Sequence, residues 1–127
     1  MPWKKRPGMP RITRITLEMD ATDQPVGRLA TKIAMALMGK DRADYTPHTD
    51  MGAAVRILHA DKVYFSGKKL EQKKYFRTSN RPGGLKAVPA QKMMDERPDE
   101  VIRHAVKYML PKNKLQALRL KRLTFVK

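Results

Sequence analysis

The sequence predicts an α/β domain in which helices pack on a sheet, and three observations carry that prediction. Apolar Ile15, Leu17 and Met19 alternate with polar neighbours up to Asp20, which is the two-residue period of a half-buried strand. A helical pattern follows at once, with Val26, Leu29, Ala30, Ile33, Ala34 and Leu37 recurring at three- and four-residue spacing. The chain is 127 residues long and 41% hydrophobic, which is enough for one folded core and too short for two.

The remaining elements follow in order. Thr22 or Asp23 is placed to cap the first helix, and Gly39 supplies a left-handed stop. Val55–Leu58 and Val63–Phe65 are short β-rich runs, too close together for a direct parallel crossover. Lys74–Arg77 is a third candidate strand without an assignable partner, and 80–84, with Arg81, Pro82 and paired glycines, is a loop. Two helices follow, one from Pro89 or Ala90 to Arg97 and one from Pro98 to Met109. The second carries Val101, Ile102, Ala105, Val106 and Met109 on one face, with Pro98 at its first position and Pro111 beyond its end. Lys114–Lys121 makes a short basic helix, and Leu123–Val126 closes the sheet. At the other end, Pro2, Pro7, Gly8 and Pro10 make residues 1–14 an extended arm ahead of a single domain over 15–127. Trp3 in that arm is equally suited to stack on a base or to fill a protein pocket.

The absence of cysteine excludes disulfides, thiolate zinc sites, iron–sulfur ligation and cysteine nucleophiles. No apolar run reaches the roughly 18 residues of a membrane span, and 1–8 has no apolar stretch of the signal-peptide kind, so a soluble cytoplasmic protein is expected.

Charge is the strongest compositional signal: 28 Lys and Arg stand against 12 Asp and Glu, a net +16. Residues 1–17 carry five basic groups and no acid, 66–92 carry eight against Glu71, and 111–127 carry six and no acid. The other 66 residues are close to neutral, at −2. Unopposed like charge repels, so its concentration in three segments points to a polyanion partner. The charge nominates Lys4, Lys5, Arg6 and Arg11 in the arm, and Lys112, Lys114, Arg119, Lys121 and Arg122 in the tail. The middle segment adds Lys68, Lys69, Lys73, Lys74, Arg77, Arg81 and Lys86, with Tyr75 and Phe76 able to stack and Gly83 and Gly84 allowing close backbone approach. Arg28 joins them at the start of the first helix, where free amides attract phosphate. Gly67-Lys68-Lys69 lacks the upstream glycine of a phosphate loop, so nucleotide binding is not indicated.

Two other function classes compete. His48 and Asp50, two residues apart, have the chemistry of a metal-dependent nuclease, although His59 and His104 lie in other segments and nothing ties them to His48. Leu115, Leu118 and Leu120 on the basic tail have the makings of a membrane-surface helix, with a small apolar face.

Several motifs in fixed order then narrow the field. Asp20-Ala21-Thr22, Val26-Gly27-Arg28-Leu29-Ala30-Thr31, Gly39-Lys40, Tyr45-Thr46-Pro47-His48, Gly83-Gly84-Leu85-Lys86 and Met109-Leu110-Pro111-Lys112 make the chain from about Leu17 to Val126 resemble the bacterial large-subunit ribosomal protein thirteen family. The resemblance implies a three-layer α/β/α single domain with a small, largely parallel four-stranded sheet. It implies no enzymatic activity and no cofactor. It implies binding to large-subunit rRNA of the 23S type early in assembly, beside other ribosomal proteins, with no membrane role and no homo-oligomer. By the same analogy Lys40, Arg42, Tyr45, Thr46 and His48, the stretch from Lys68 to Lys86, and the Leu110–Lys114 turn contact rRNA. The chain departs from the family pattern at Leu17-Glu18, at Gly52-Ala53, at Thr78-Ser79-Asn80 and at Tyr108, and it has no His-rich C-terminal extension.

Overall fold

The computed structural model describes residues 13–126; Trp3, Lys4, Lys5, Arg6 and Arg11 of the arm lie outside them. The alternating segment is strand β1, Thr16–Asp20, and the helix after it is α1, Val26–Met38. Gly39 ends α1 at φ 80°, donating its N–H to the Met35 carbonyl. The start of α1 corrects the sequence reading, because its N-cap is Pro25 and no side chain caps it. Thr22 instead donates its hydroxyl and amide to Asp20 Oδ1, at 2.7 and 2.9 Å, which shapes the turn between strand and helix.

Strands β2, Ala54–Leu58, and β5, Leu123–Phe125, complete a parallel sheet in the order β1-β2-β5. The register sets Leu17 beside Val55 beside Leu123, and Met19 beside Ile57 beside Phe125. Alternate residues share a face, so these two rows form the core side and Glu18, Arg56 and Thr124 form the other. Both crossovers step the same way across the sheet, and right-handed crossovers then lay their helices on the same face. The opposite face is exposed and carries an ion pair between Arg56 and Glu18 at 3.4 Å. Three strands stand where the resemblance implies four. Val63–Phe65 contributes only an isolated parallel bridge from Tyr64 to Pro25, because α1 begins at the next residue and the extended backbone stops there.

Three helices follow, α3 over Ala90–Glu96, α4 over Pro98–Met109 and α5 over Lys114–Lys121; a four-residue helix α2, Lys69–Gln72, precedes them. Pro98 occupies the first turn of α4, where its missing N–H costs nothing. Asn113 caps α5 by accepting from the Leu115 amide at 3.1 Å. The core joins Leu29, Ile33 and Leu37 of α1 to Val101, Ile102 and Val106 of α4 and Val55 and Ile57 of β2, all fully buried. Each such side chain contributes about 1.5–3 kcal/mol. Lys74–Thr78 is strand β3, and its partner is β4, Leu85–Pro89, in an antiparallel hairpin.

One polar cluster ties this body together. The Asp50 carboxylate accepts from Arg122 Nη1, and Arg14 Nη2 lies 3.3 Å from the same oxygen. Arg119 Nε stands 4.0 Å from the other carboxylate oxygen, with its side chain 1% exposed. Arg122 also donates to the Leu37 carbonyl at 2.7 Å, and Arg14 to the Gly52 carbonyl at 2.8 Å. Gly52 is needed here, because a Cβ on it would sit 1.7 Å from the Leu37 oxygen. The cluster counts against the rival of a membrane-surface helix at α5: its inward side bears Arg119, and Leu120 packs against the core instead of facing out with Leu118.

Removing one partner of a buried ion pair leaves the other charge uncompensated. Asp50→Ala is therefore expected to lower unfolding stability by about 3 kcal/mol in urea titrations, whereas Arg119→Met, which removes the buried charge, costs far less. Equal losses from both variants would contradict this assignment.

Candidate nucleic-acid interface

Elementary electrostatics sorts the basic side chains into those the fold uses and those it leaves free. Arg122, nominated by charge, is taken up by Asp50 and by the Leu37 and Ala53 carbonyls, and Arg119 is buried with its Nε 4.0 Å from Asp50 and without a hydrogen-bond partner. Arg42 is half occupied: it grips Asp44 with two hydrogen bonds at 3.0 and 3.1 Å, and that pairing holds the Asp44 carboxyl below its usual range. Arg28, Lys40, Lys68, Lys69, Lys73, Lys74, Arg77, Arg81, Lys86, Lys112, Lys114 and Lys121 are exposed. Among the described residues none of these twelve pairs with a carboxylate.

The β3-β4 hairpin gathers the densest group. Residues 73–89 hold five basic groups and no acid. Arg77 lies directly opposite Lys86 in the register, a like-charge pair that destabilises the ribbon in isolation. The hairpin loop owes its shape to its own chemistry: Ser79 N–H donates to the Gly84 carbonyl at 3.0 Å, and a Cβ on Gly84 would meet Ser79 Oγ at 1.9 Å. The space at Gly84 is thus filled by Ser79, while Gly83 beside it is exposed.

Tyr75 differs from its expected role, because it is the hairpin's buried side chain, 8% exposed, and so is not free to stack on a base. Its ring meets His104 of α4 edge to face at 4.8 Å, and His104 in turn meets Tyr108 at 4.7 Å. Lys73 Nζ lies 5.4 Å from the Tyr75 ring and 5.7 Å from the Phe65 ring. Strand alternation that turns Tyr75 inward turns Phe76 outward. Burial pushes the Tyr75 hydroxyl up, and burial with Lys73 and Lys107 nearby pushes the His104 imidazole below 6.5.

Two open grooves meet at Tyr108. One, of about 270 Å³, is lined by Gly27, Lys69, Lys73 and His104; the other, of about 390 Å³, by Lys107, Lys112, Asn113 and Gln116. Lys107 and Tyr108 were missed by segment counting, since they lie in the near-neutral part of the chain. The helical period was an available signal for Lys107, which it places on the side of α4 away from Val101, Ile102 and Val106, whereas Tyr108 follows Val101 by one heptad and its exposure of 66% shows only in the structure.

The loop 39–53 presents His48 to solvent, with Tyr45 and Thr46 half-buried. The hydroxyls of Thr46 and Thr49 bond each other, and Thr49 also donates to the Thr46 carbonyl at 3.2 Å. Asp50 is committed to arginines, so the His48–Asp50 nuclease reading loses its carboxylate. Elsewhere Asp20 is lowered to about 2, first by its hydrogen bonds from Thr22 and then by His59 at 3.1 Å.

Residues 14–127 match the family described as ribosomal protein L13. Proteins named large ribosomal subunit protein uL13 are similar over most of the chain. That of Thermus thermophilus is 52% identical over 105 residues, 83% of this chain and 75% of the relative. That of Caldanaerobacter subterraneus is 50% identical over 112 residues, 88% and 78% of the two chains. That of Thermotoga petrophila is 50% identical over 105 residues, 83% and 70%.

The His104 contacts give a pH signature. Its folded midpoint lies below 6.5, so the unfolded chain takes up the proton first; the contribution to stability is complete above about pH 6.5 and is lost as the pH falls. In an NMR titration the His104 midpoint should fall below 6.5 and move upward in Lys73→Met, while a midpoint above 6.5 would contradict the packing. For Asp20 the folded value is depressed, so its contribution is present above pH 3.8 and is lost as pH falls toward 2. Thr22→Val should raise the Asp20 midpoint toward 3.8, and an unmoved midpoint would contradict the turn geometry.

Proposed function

The chain belongs to the ribosomal protein L13 family, and on that premise we propose that it is a structural constituent of the large ribosomal subunit, without enzymatic activity, that holds rRNA through its unpaired basic groups. The observation that carries this reading is the hairpin over 73–89, whose Arg77 and Lys86 face each other and, among the described residues, pair with no carboxylate. Like charges held opposite one another favour an anion between them, and RNA phosphate is the polyanion of the large subunit. The body fixes where each basic segment stands. The Asp50 cluster holds the loop carrying Lys40 and His48, and the Tyr75–His104 contact sets the root of the hairpin.

The finer parts of the reading rest on the same premise. The RNA is of the 23S type, the protein is bound early in assembly as a single copy beside neighbouring ribosomal proteins, and its place is the cytoplasmic ribosome. No helix among the described residues is long and apolar enough to cross a membrane. Residues 15–127 act as one domain and 1–14 as a basic arm bringing Lys4, Lys5, Arg6 and Arg11. The full four-stranded, three-layer architecture is part of this proposal too. The Tyr64–Pro25 bridge supports a fourth strand position, and the exposed sheet face with Glu18 and Arg56 leaves room for a third layer.

Neutralising phosphates releases counterions, so affinity for large-subunit rRNA should fall steeply with salt. For about five to ten phosphates the log–log slope is on the order of −5 to −9. Replacing Lys73, Lys74, Arg77 and Arg81 with Ala together should flatten that slope by about 3–4 while leaving the circular dichroism of the body unchanged. Salt-insensitive binding would overturn the reading.

A further inference from the structure

The hairpin has a second face that charge does not explain. Phe76 is 63% exposed and Leu85 61%. The register pairs Phe76 with Ala87 and Thr78 with Leu85, so Phe76 and Leu85 leave the same face as diagonal neighbours. That face is opposite the one on which Tyr75 is buried against His104. The ribbon therefore shows solvent an aromatic ring and an aliphatic side chain side by side, with Lys74 next on the same face.

We propose that Phe76, buttressed by Leu85, is a stacking platform for an unpaired base of the bound RNA. The proposal rests on the rRNA reading above and adds that the hairpin selects a looped or single-stranded segment. Charge identifies the occupant. With five basic groups and no acid in 73–89, charge complementarity favours an occupant of Phe76 that brings negative charge with it. A nucleobase does so through its own phosphate, which Lys74, two residues along the strand on the same face, is placed to receive. An exposed ring accepts the π-face of any base, and aromatic side chains on basic strands bind single strands in this way.

The test uses the full chain with two probes, a short single-stranded RNA and the perfect duplex of the same sequence. Phe76→Ala should weaken single-strand binding about 5- to 150-fold and leave duplex binding and the salt slope unchanged, because Phe76 touches no phosphate. Phe76→Tyr should retain the wild-type preference. In a Trp3→Phe background, Phe76→Trp should show emission quenched by the single strand and not by the duplex. Equal losses on both probes, or none, would overturn the proposal, as would emission that changes only inside assembled subunits, which marks a protein neighbour instead. A wild-type salt slope near zero would sink the rRNA reading itself, whereas a steep slope with a silent Phe76→Ala sinks only the stacking platform.

Discussion

A single carboxylate holds together parts of the chain that are far apart in sequence. Asp50 draws in Arg14 just ahead of β1, Arg119 from within α5 and Arg122 between α5 and β5. Arg122 spans from that carboxylate to the carbonyl of Leu37 near the end of α1, so the start of the sheet, its last strand and the first helix converge on one point. The 39–53 loop is caught in the same knot through Gly52, whose missing side chain lets the backbone pass against α1. A basic protein gains from this arrangement twice. Asp50 offsets one of the three positive charges gathered around it, and the loop bearing Lys40 and His48 is held without a hydrophobic core of its own.

Outside that knot the charges are left exposed. The hairpin is built from strands that place Arg77 against Lys86 and carry no acid, which makes it a poor ribbon by itself. Its anchorage comes from Tyr75, set edge-on to His104 and flanked by Lys73. Burial at the root combined with repulsion along the length describes a module whose stability is completed by a negatively charged partner. On the proposed reading that partner is the RNA of the large subunit.

The fold was legible where a period or a special residue imposed it. Alternation gave β1, the three- and four-residue spacing gave α1 and α4, and Gly39 and Pro98 marked ends that the structure keeps. The hairpin partner was hidden, since Leu85–Pro89 contains a lysine and a proline and shows little alternation. Val63–Phe65 had strand composition, yet its neighbour Pro25 leads straight into a helix and only one bridge forms. At the surface, charge counting picked out segments whose lysines the structure leaves exposed among the described residues, and it could not tell which individual side chains turn inward. Arg119 and Arg122 are as basic as Lys121, and only the position of Asp50, some 70 residues earlier in the chain, turns them inward. Tyr75 and Phe76 were equivalent as letters; the pleat of β3 separates them into an anchor and an exposed ring.

The central claim is that the fold spends some arginines internally and leaves a defined set of lysines for RNA. Lysine acylation read by mass spectrometry, comparing the free chain with the chain in large ribosomal subunits, tests it most directly. Lys40, Lys69, Lys73, Lys74, Lys86 and Lys112 should react in the free chain and be protected in the subunit. If these lysines stay as reactive in the subunit as in the free chain, the account is wrong.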